Sequence, residues 1–164
     1  MVIAPEVFRD EEYAYPKEVL ESRGVAVVTA STRPGECRGK LGMTATADIA
    51  LADADASEYD AILFVGGGGA EVFFDDPAAH RLARSARELG RVVAAICIAP
   101  STLARAGVLR GVRATAFPTQ RDDLVAHGAI WTGRAVEVDG TIVTANGPDA
   151  AREFGAAVAE LLGV

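Results

Sequence analysis

The run Val92-Val93-Ala94-Ala95-Ile96-Cys97-Ile98-Ala99-Pro100 decides the fold. Its first five residues are apolar without alternation, the pattern of a short strand buried on both faces, as in a parallel sheet covered by helices. Pro100 marks the first turn of a helix, where a residue without an N–H loses no hydrogen bond. Cys97 therefore falls on a strand-to-helix junction, and the small residues Ala95 and Ala99 permit a sharp turn there. This spacing is the logic of the nucleophile elbow, which lifts a reactive side chain clear of the C-terminal edge of the sheet. Ligand sites in such sheets lie at that edge. The N–H groups and partial positive charge of a helix start favour the thiolate, so the spacing predicts a lowered thiol pKa. A buried, inert cysteine is the alternative this spacing leaves open.

Outward from this run, apolar β-branched segments alternate with helix-patterned ones, which is the signature of βαβ units and an α/β fold. Strands are predicted at residues 2–4, 25–30, 61–65, 92–96 and 113–116, and helices at 15–23, 77–89, 100–106 and 149–162. The last helix places Phe154, Val158, Leu161 and Leu162 on one stripe. Two segments break the alternation. Residues 136–143 read as a hairpin, with Asp139-Gly140 supplying the positive φ that a two-residue turn requires. Residues 44–50 alternate polar and apolar and suggest an added strand. The first strand is short: the sheet begins on a stub, or the start codon lies upstream. No repeat, low-complexity tract or linker interrupts the chain, so one domain over 1–164 is expected.

Bulk properties narrow the function. Half of the 164 residues are hydrophobic, enough for one buried core. No apolar run reaches about 18 residues and no basic, cleavable leader follows Met1, so the expectation is a cytoplasmic protein that does not engage a membrane. The charge of −7 and the scattered arginines argue against nucleic acid. Cys37 and Cys97 lie in such different contexts that reduced thiols are expected rather than a disulfide.

The other chemistry-bearing residues are fewer. Gly66-Gly67-Gly68-Gly69 closes the strand at 61–65 and lets backbone amides approach an oxyanion at the same sheet edge, or is simply a flexible turn. It fits neither a dinucleotide fingerprint nor a phosphate loop. Asp10-Glu11-Glu12 follows the first strand and offers a carboxylate to Cys97, although such runs are commonly solvated. His80 is expected on an exposed helix face, and His127 at a helix end. Neither has a companion at metal-ligand spacing, so no metal and no cofactor is expected. Cys37 reads as a loop thiol between Arg33 and Arg38, a bystander open to oxidation.

The chain resembles the ThiJ/PfpI superfamily over nearly its whole length. The matching pieces are Ala94-Ala95-Ile96-Cys97-x-x-Pro100, the Gly66-Gly67 turn, Gly111-Val112-Arg113-Ala114-Thr115, and the segment from Asp139 to Pro148. The resemblance implies a flavodoxin-like three-layer α/β/α sandwich with a mainly parallel sheet, a homodimer or larger assembly, and backbone amides at Gly67 and Ile98 around the site. It also implies a glutamate four residues before a proline beside the cysteine. Glu12-Tyr13-Ala14-Tyr15-Pro16 has that spacing and selects Glu12 over Glu11. Two adjacent negative charges repel, so the pair Cys97 and Glu12 is expected to retain one proton. The departures matter equally. Peptidase-like members carry a histidine directly after the cysteine, where this chain has Ile98; glyoxalase-like and deglycase-like members use a histidine before a proline, where it has Phe117.

Three functions follow as expectations. The first is slow turnover of small reactive carbonyls or their glycated adducts through Cys97 and Glu12 without a histidine. The second is a non-enzymatic redox sensor or chaperone-like stress protein in which Cys97 is oxidised. The third is a peptidase or amidase, disfavoured because Ile98 removes the base and His127 from a partner subunit would have to replace it.

Overall fold

A computed structural model describes residues 1–164. In chain order its main elements are β1 (Glu6–Phe8), α1 (Asp10–Ser22), β2 (Ala30–Ser31), β3 (Gly35–Gly39), β4 (Thr44–Ala47), β5 (Ile49–Ala50), β6 (Ala61–Phe64), α2 (Pro77–Glu88), β7 (Val92–Ile96), α3 (Pro100–Arg105), β8 (Arg113–Ala114), α4 (Arg121–Ala126), β9 (Ile130–Trp131), β10 (Val136–Asp139), β11 (Ile142–Ala145) and α5 (Ala151–Leu161).

The main sheet runs β10-β11-β7-β6, and a single residue, Val2, bridges Phe64 of β6 to Ala30 of β2, which pairs with β5. Every pairing in it is parallel except β10 with β11. Strand β7 is central and fully buried along its five residues, because helices cover both faces. Leu20 of α1 and Phe154 and Val158 of α5 pack on one face against Leu63, Ala94, Ile96 and Val143. Leu82, Ala83 and Ala86 of α2 and Leu103 of α3 pack on the other against Ile62, Phe64, Val93 and Ala95. The expected three-layer, flavodoxin-like α/β/α sandwich is the observed fold.

Several local readings are corrected. Of the strand expected at 25–30 only Ala30 belongs to a strand; the Thr29 carbonyl accepts from the amides of Asp48 and Ile49, and residues 25–28 pair with no strand. The segment 113–116 stays out of the main sheet: β8 pairs with β9, and the Thr115 amide donates to the Thr144 hydroxyl. Residues 44–50 divide between two sheets at Asp48, whose carboxylate accepts from the Thr29 amide at 2.8 Å. The hairpin forms, but Asp139 pairs with Ile142, so its turn residues are Gly140-Thr141, with φ +59° at Gly140. Cys37 is no loop thiol: it faces inward from β3, fully buried with Ile3, Phe8 and Val65, while Glu36 and Arg38 alternate outward.

Helix α1 begins five residues earlier than expected, at Asp10, and carries Pro16 inside. Proline denies the Glu12 carbonyl its usual partner, which normally ends or bends a helix. Anchors at the first turn offset this loss. The Arg9 amide donates to the Gly66 carbonyl at 2.9 Å, and the Asp10 carboxylate accepts from the amides of Leu41 and Met43. Pro16 also lies against Gly155 of α5, where an added Cβ would stand 2.8 Å from the Pro16 Cα. Gly155→Val should therefore force α1 and α5 apart and lower stability by about 1–3 kcal/mol in denaturant unfolding; an unchanged midpoint would show that this crossing does not seat α1.

Candidate functional site

The site is built where β6, β7 and α1 converge at the C-terminal edge of the sheet. Cys97 follows β7 directly, and its backbone is held on both sides: its amide donates to the Ala145 carbonyl at 2.9 Å, and its carbonyl accepts from the Phe117 amide at 2.8 Å. Its φ is +63°, a conformation that costs about 1–3 kcal/mol for a residue with a side chain and clusters at functional sites. The other non-glycine residue of this kind is the β-branched Val7, at φ +59°. It borders the same edge, since a Cβ on Gly67 would collide with the Val7 carbonyl and the Arg9 amide.

The three acids that open α1 part company because each helical residue turns about 100° from the last. Asp10 caps the β3–β4 turn, Glu11 pairs with Arg9 at 2.8 Å, and Glu12 turns inward and is fully buried. A Cβ on Gly66 would strike both the Glu12 carboxyl and the Cys97 Cβ, so the missing side chain of Gly66 is what lets acid and thiol share one space. The polar groups acting on the Glu12 carboxyl there are the Cys97 thiol and the Gly66 amide, yet neither oxygen completes a fully aligned hydrogen bond. The sequence offers Gly66 as part of the glycine run and of the Gly66-Gly67 turn, but not in this role of making room for the acid and the thiol.

Burial pushes the Glu12 carboxyl up to about 7, with the Cys97 thiol and Gly66 amide only partly opposing it. The Cys97 thiol is pushed up to about 12, by burial first and by the Glu12 charge second, while the backbone amides of Gly67 and Ile98 pull the other way. The expected lowering of the thiol pKa is thus overturned. The amides do point at the sulfur, but desolvation and a neighbouring carboxylate outweigh them. From about pH 7 to about 12 the pair holds one proton.

The structure brings Cys97, Glu12, Gly67 and Ile98 together, as the sequence suggested. No imidazole joins them. His80 is half-buried rather than exposed, with Nε2 2.7 Å from the Phe74 carbonyl oxygen, and His127 closes α4 with Nδ1 2.8 Å from the Asp123 carbonyl oxygen. Phe117 hangs beside the cysteine turn through its backbone, so both positions where a histidine was sought are apolar. No group of three or more potential metal ligands occurs. No helix is long and apolar enough to cross a membrane.

A cysteine elbow at the edge of a parallel α/β/α sandwich, partnered by a buried glutamate, defines a class of thiol-centred proteins. The chain belongs to the DJ-1/PfpI family, whose model matches residues 1–161. It is 43% identical over 158 residues to an uncharacterised protein of Methanocaldococcus jannaschii, covering 94% of this chain and 77% of that one. It is 34% identical to a deglycase of Pyrococcus abyssi, covering 90% of this chain and 89% of the relative. The crystal structure of a ThiJ/PfpI domain protein from Brachyspira murdochii superposes with a TM-score of 0.97 at 33% identity, over 99% of this chain and 94% of that one.

The Glu12 shift fixes a pH dependence. A carboxyl whose pKa rises from 4.5 unfolded to about 7 folded binds its proton more tightly in the native state. Its contribution to stability is complete below 4.5 and is lost as pH rises through 7. The loss should approach about 3 kcal/mol. Glu12→Gln should remove it, leaving the variant more stable than wild type at pH 8; parallel stability profiles of the two from pH 5 to 8 would contradict the assignment.

Proposed function

We propose that the chain is a cysteine-centred enzyme of modest rate that acts on small reactive carbonyls or their early adducts with amines and thiols. The observation that carries this reading is the fully buried Glu12 carboxyl standing beside Cys97 in the space that Gly66 leaves open, where a proton can pass between acid and thiol. As the sulfur adds to an aldehyde carbon, its proton passes to Glu12, and the amides of Gly67 and Ile98 lie beside the carbon–oxygen bond that gains negative charge. Glu12 then returns the proton to that oxygen, giving a hemithioacetal. With a 2-oxoaldehyde, the same carboxyl moves a proton from the former aldehyde carbon to its neighbour through an enediol, while the hydroxyl proton on the former aldehyde carbon passes to the neighbouring oxygen, leaving a thioester carbonyl beside a hydroxyl-bearing carbon. The resulting thioester is opened by water to a 2-hydroxy acid and free Cys97. The name of the Pyrococcus abyssi relative, a deglycase, supports the substrate class.

One carboxyl handles every proton, and the lack of a second positioned acid or base costs on the order of 10² to 10⁴ in rate. The raised thiol weighs against a peroxide sensor, because the thiolate is the form that oxidises. Apolar Ile98 and Phe117 weigh against a peptidase, which needs an acid for the leaving amine.

With methylglyoxal, kcat/KM should be lost in Cys97→Ala. In the wild type it should climb about tenfold per pH unit up to about pH 7 and then level, because Glu12 must be ionised to accept the thiol proton. Turnover that survives Cys97→Ala, or a rate that falls through pH 7, would contradict the reading.

A further inference from the structure

Sheet order sets Cys97 between two unlike neighbours. Strand β7 lies between β6 and β11, so the turn after β6 stands on one side of the cysteine and the segment after β11 on the other. The β6 side carries the glycine turn, the Gly67 amide and, from α1, the Glu12 carboxyl. The β11 side offers no acid and no base. There the Ala145 carbonyl accepts from the Cys97 amide, and two residues later Gly147 borders the ring of Phe117.

Phe117 is 40% exposed, and its backbone keeps it from turning inward. Its amide donates to the Cys97 carbonyl at 2.8 Å, and its carbonyl accepts from the Gln120 amide at 2.9 Å. The Gln120 side chain in turn accepts from the buried Ser101 hydroxyl of α3 at 2.7 Å, and Pro118 fixes the next φ. The residue is therefore seated on the cysteine turn from both directions. Gly147 supplies a floor beside it. A Cβ there would stand 3.9 Å from the Phe117 Cδ2 and, apart from its own chain neighbours, would meet no other atom within 4 Å. The space over Gly147 is an open shelf with the phenyl ring as its wall.

We propose that this shelf selects the substituent of the substrate, so that 2-oxoaldehydes carrying an aryl group are preferred to those carrying a methyl group. The assignment rests on the carbonyl chemistry proposed above for Cys97 and Glu12. When the sulfur adds to the aldehyde carbon, the groups that exchange protons must face Glu12 and Gly67 on the β6 side. The rest of the molecule is then directed toward β11. A methyl ketone leaves the shelf empty. A phenyl ketone covers Gly147 and meets Phe117 offset or edge to face, the arrangements two aromatic rings favour. The aromatic residue that stands where a histidine was sought thus gives the site a selectivity in place of a base.

The test takes the ratio of kcat/KM for phenylglyoxal to that for methylglyoxal in the wild type, Phe117→Ala, Phe117→Tyr and Gly147→Val. The ratio should fall about tenfold in Phe117→Ala and hold within about twofold in Phe117→Tyr. It should also fall in Gly147→Val, which fills the shelf and leaves the phenyl ring in place. A ratio unchanged by either Phe117→Ala or Gly147→Val overturns the proposal. A second readout needs no turnover: the rates at which phenacyl bromide and bromoacetone alkylate Cys97, each taken relative to glutathione. If the wild type turns over neither aldehyde, the carbonyl reaction fails and the alkylation ratio still decides the shelf. An aryl preference lost in both variants supports it; no aryl preference, or one that both variants keep, overturns it.

Discussion

The contact of a buried carboxyl with a half-buried thiol across Gly66 is the constraint on which the active end of the molecule depends. Neither group would keep its proton so tightly in water, and neither can lose it without placing charge in an apolar setting. The surroundings hold the two together. The Arg9 amide ties α1 to the glycine turn, Gly155 lets α5 press α1 onto the sheet, and β11 and the Phe117 amide grip Cys97 from both sides. The strained φ values of Val7 and Cys97 lie around this contact and nowhere else among the non-glycine residues.

Such an arrangement suits chemistry in which one proton is passed back and forth, and suits poorly a nucleophile that must stand ionised. Amides at Gly67 and Ile98 favour negative charge on sulfur, as a strand-to-helix junction is built to do. Here their pull is the smaller one. Charge is more easily tolerated once the thiol proton has passed to Glu12 and the developing negative charge spreads toward a bound carbonyl oxygen, which is why addition to a carbonyl is the reaction this geometry favours.

The central strand, the cysteine turn and the layering of helices were legible in the sequence, because each rests on a local pattern: an unbroken apolar run, a proline at a helix start, an apolar stripe. The start of α1 was not, since Pro16 reads as a barrier unless the anchors at Gly66, Leu41 and Met43, all remote in sequence, are known. Cys37 was misplaced for the same reason, its strand being defined by pairing with β1 and β4. Glu12 was chosen over Glu11 by family spacing; the structure supplies the physical cause, one acid paired with Arg9 and the next turned inward. The sign of the thiol shift was beyond reach altogether, because spacing reports the dipole of a turn but not the depth at which it is buried.

The most direct measurement is the titration of the two groups in one sample, following Glu12 by its carboxyl ¹³C resonance and Cys97 by thiolate absorbance. The expected result is a Glu12 midpoint near 7 and a thiol that stays protonated well above its ordinary value of 9. A Glu12 midpoint at its ordinary 4.5, or thiolate appearing below pH 9, would contradict the shared proton.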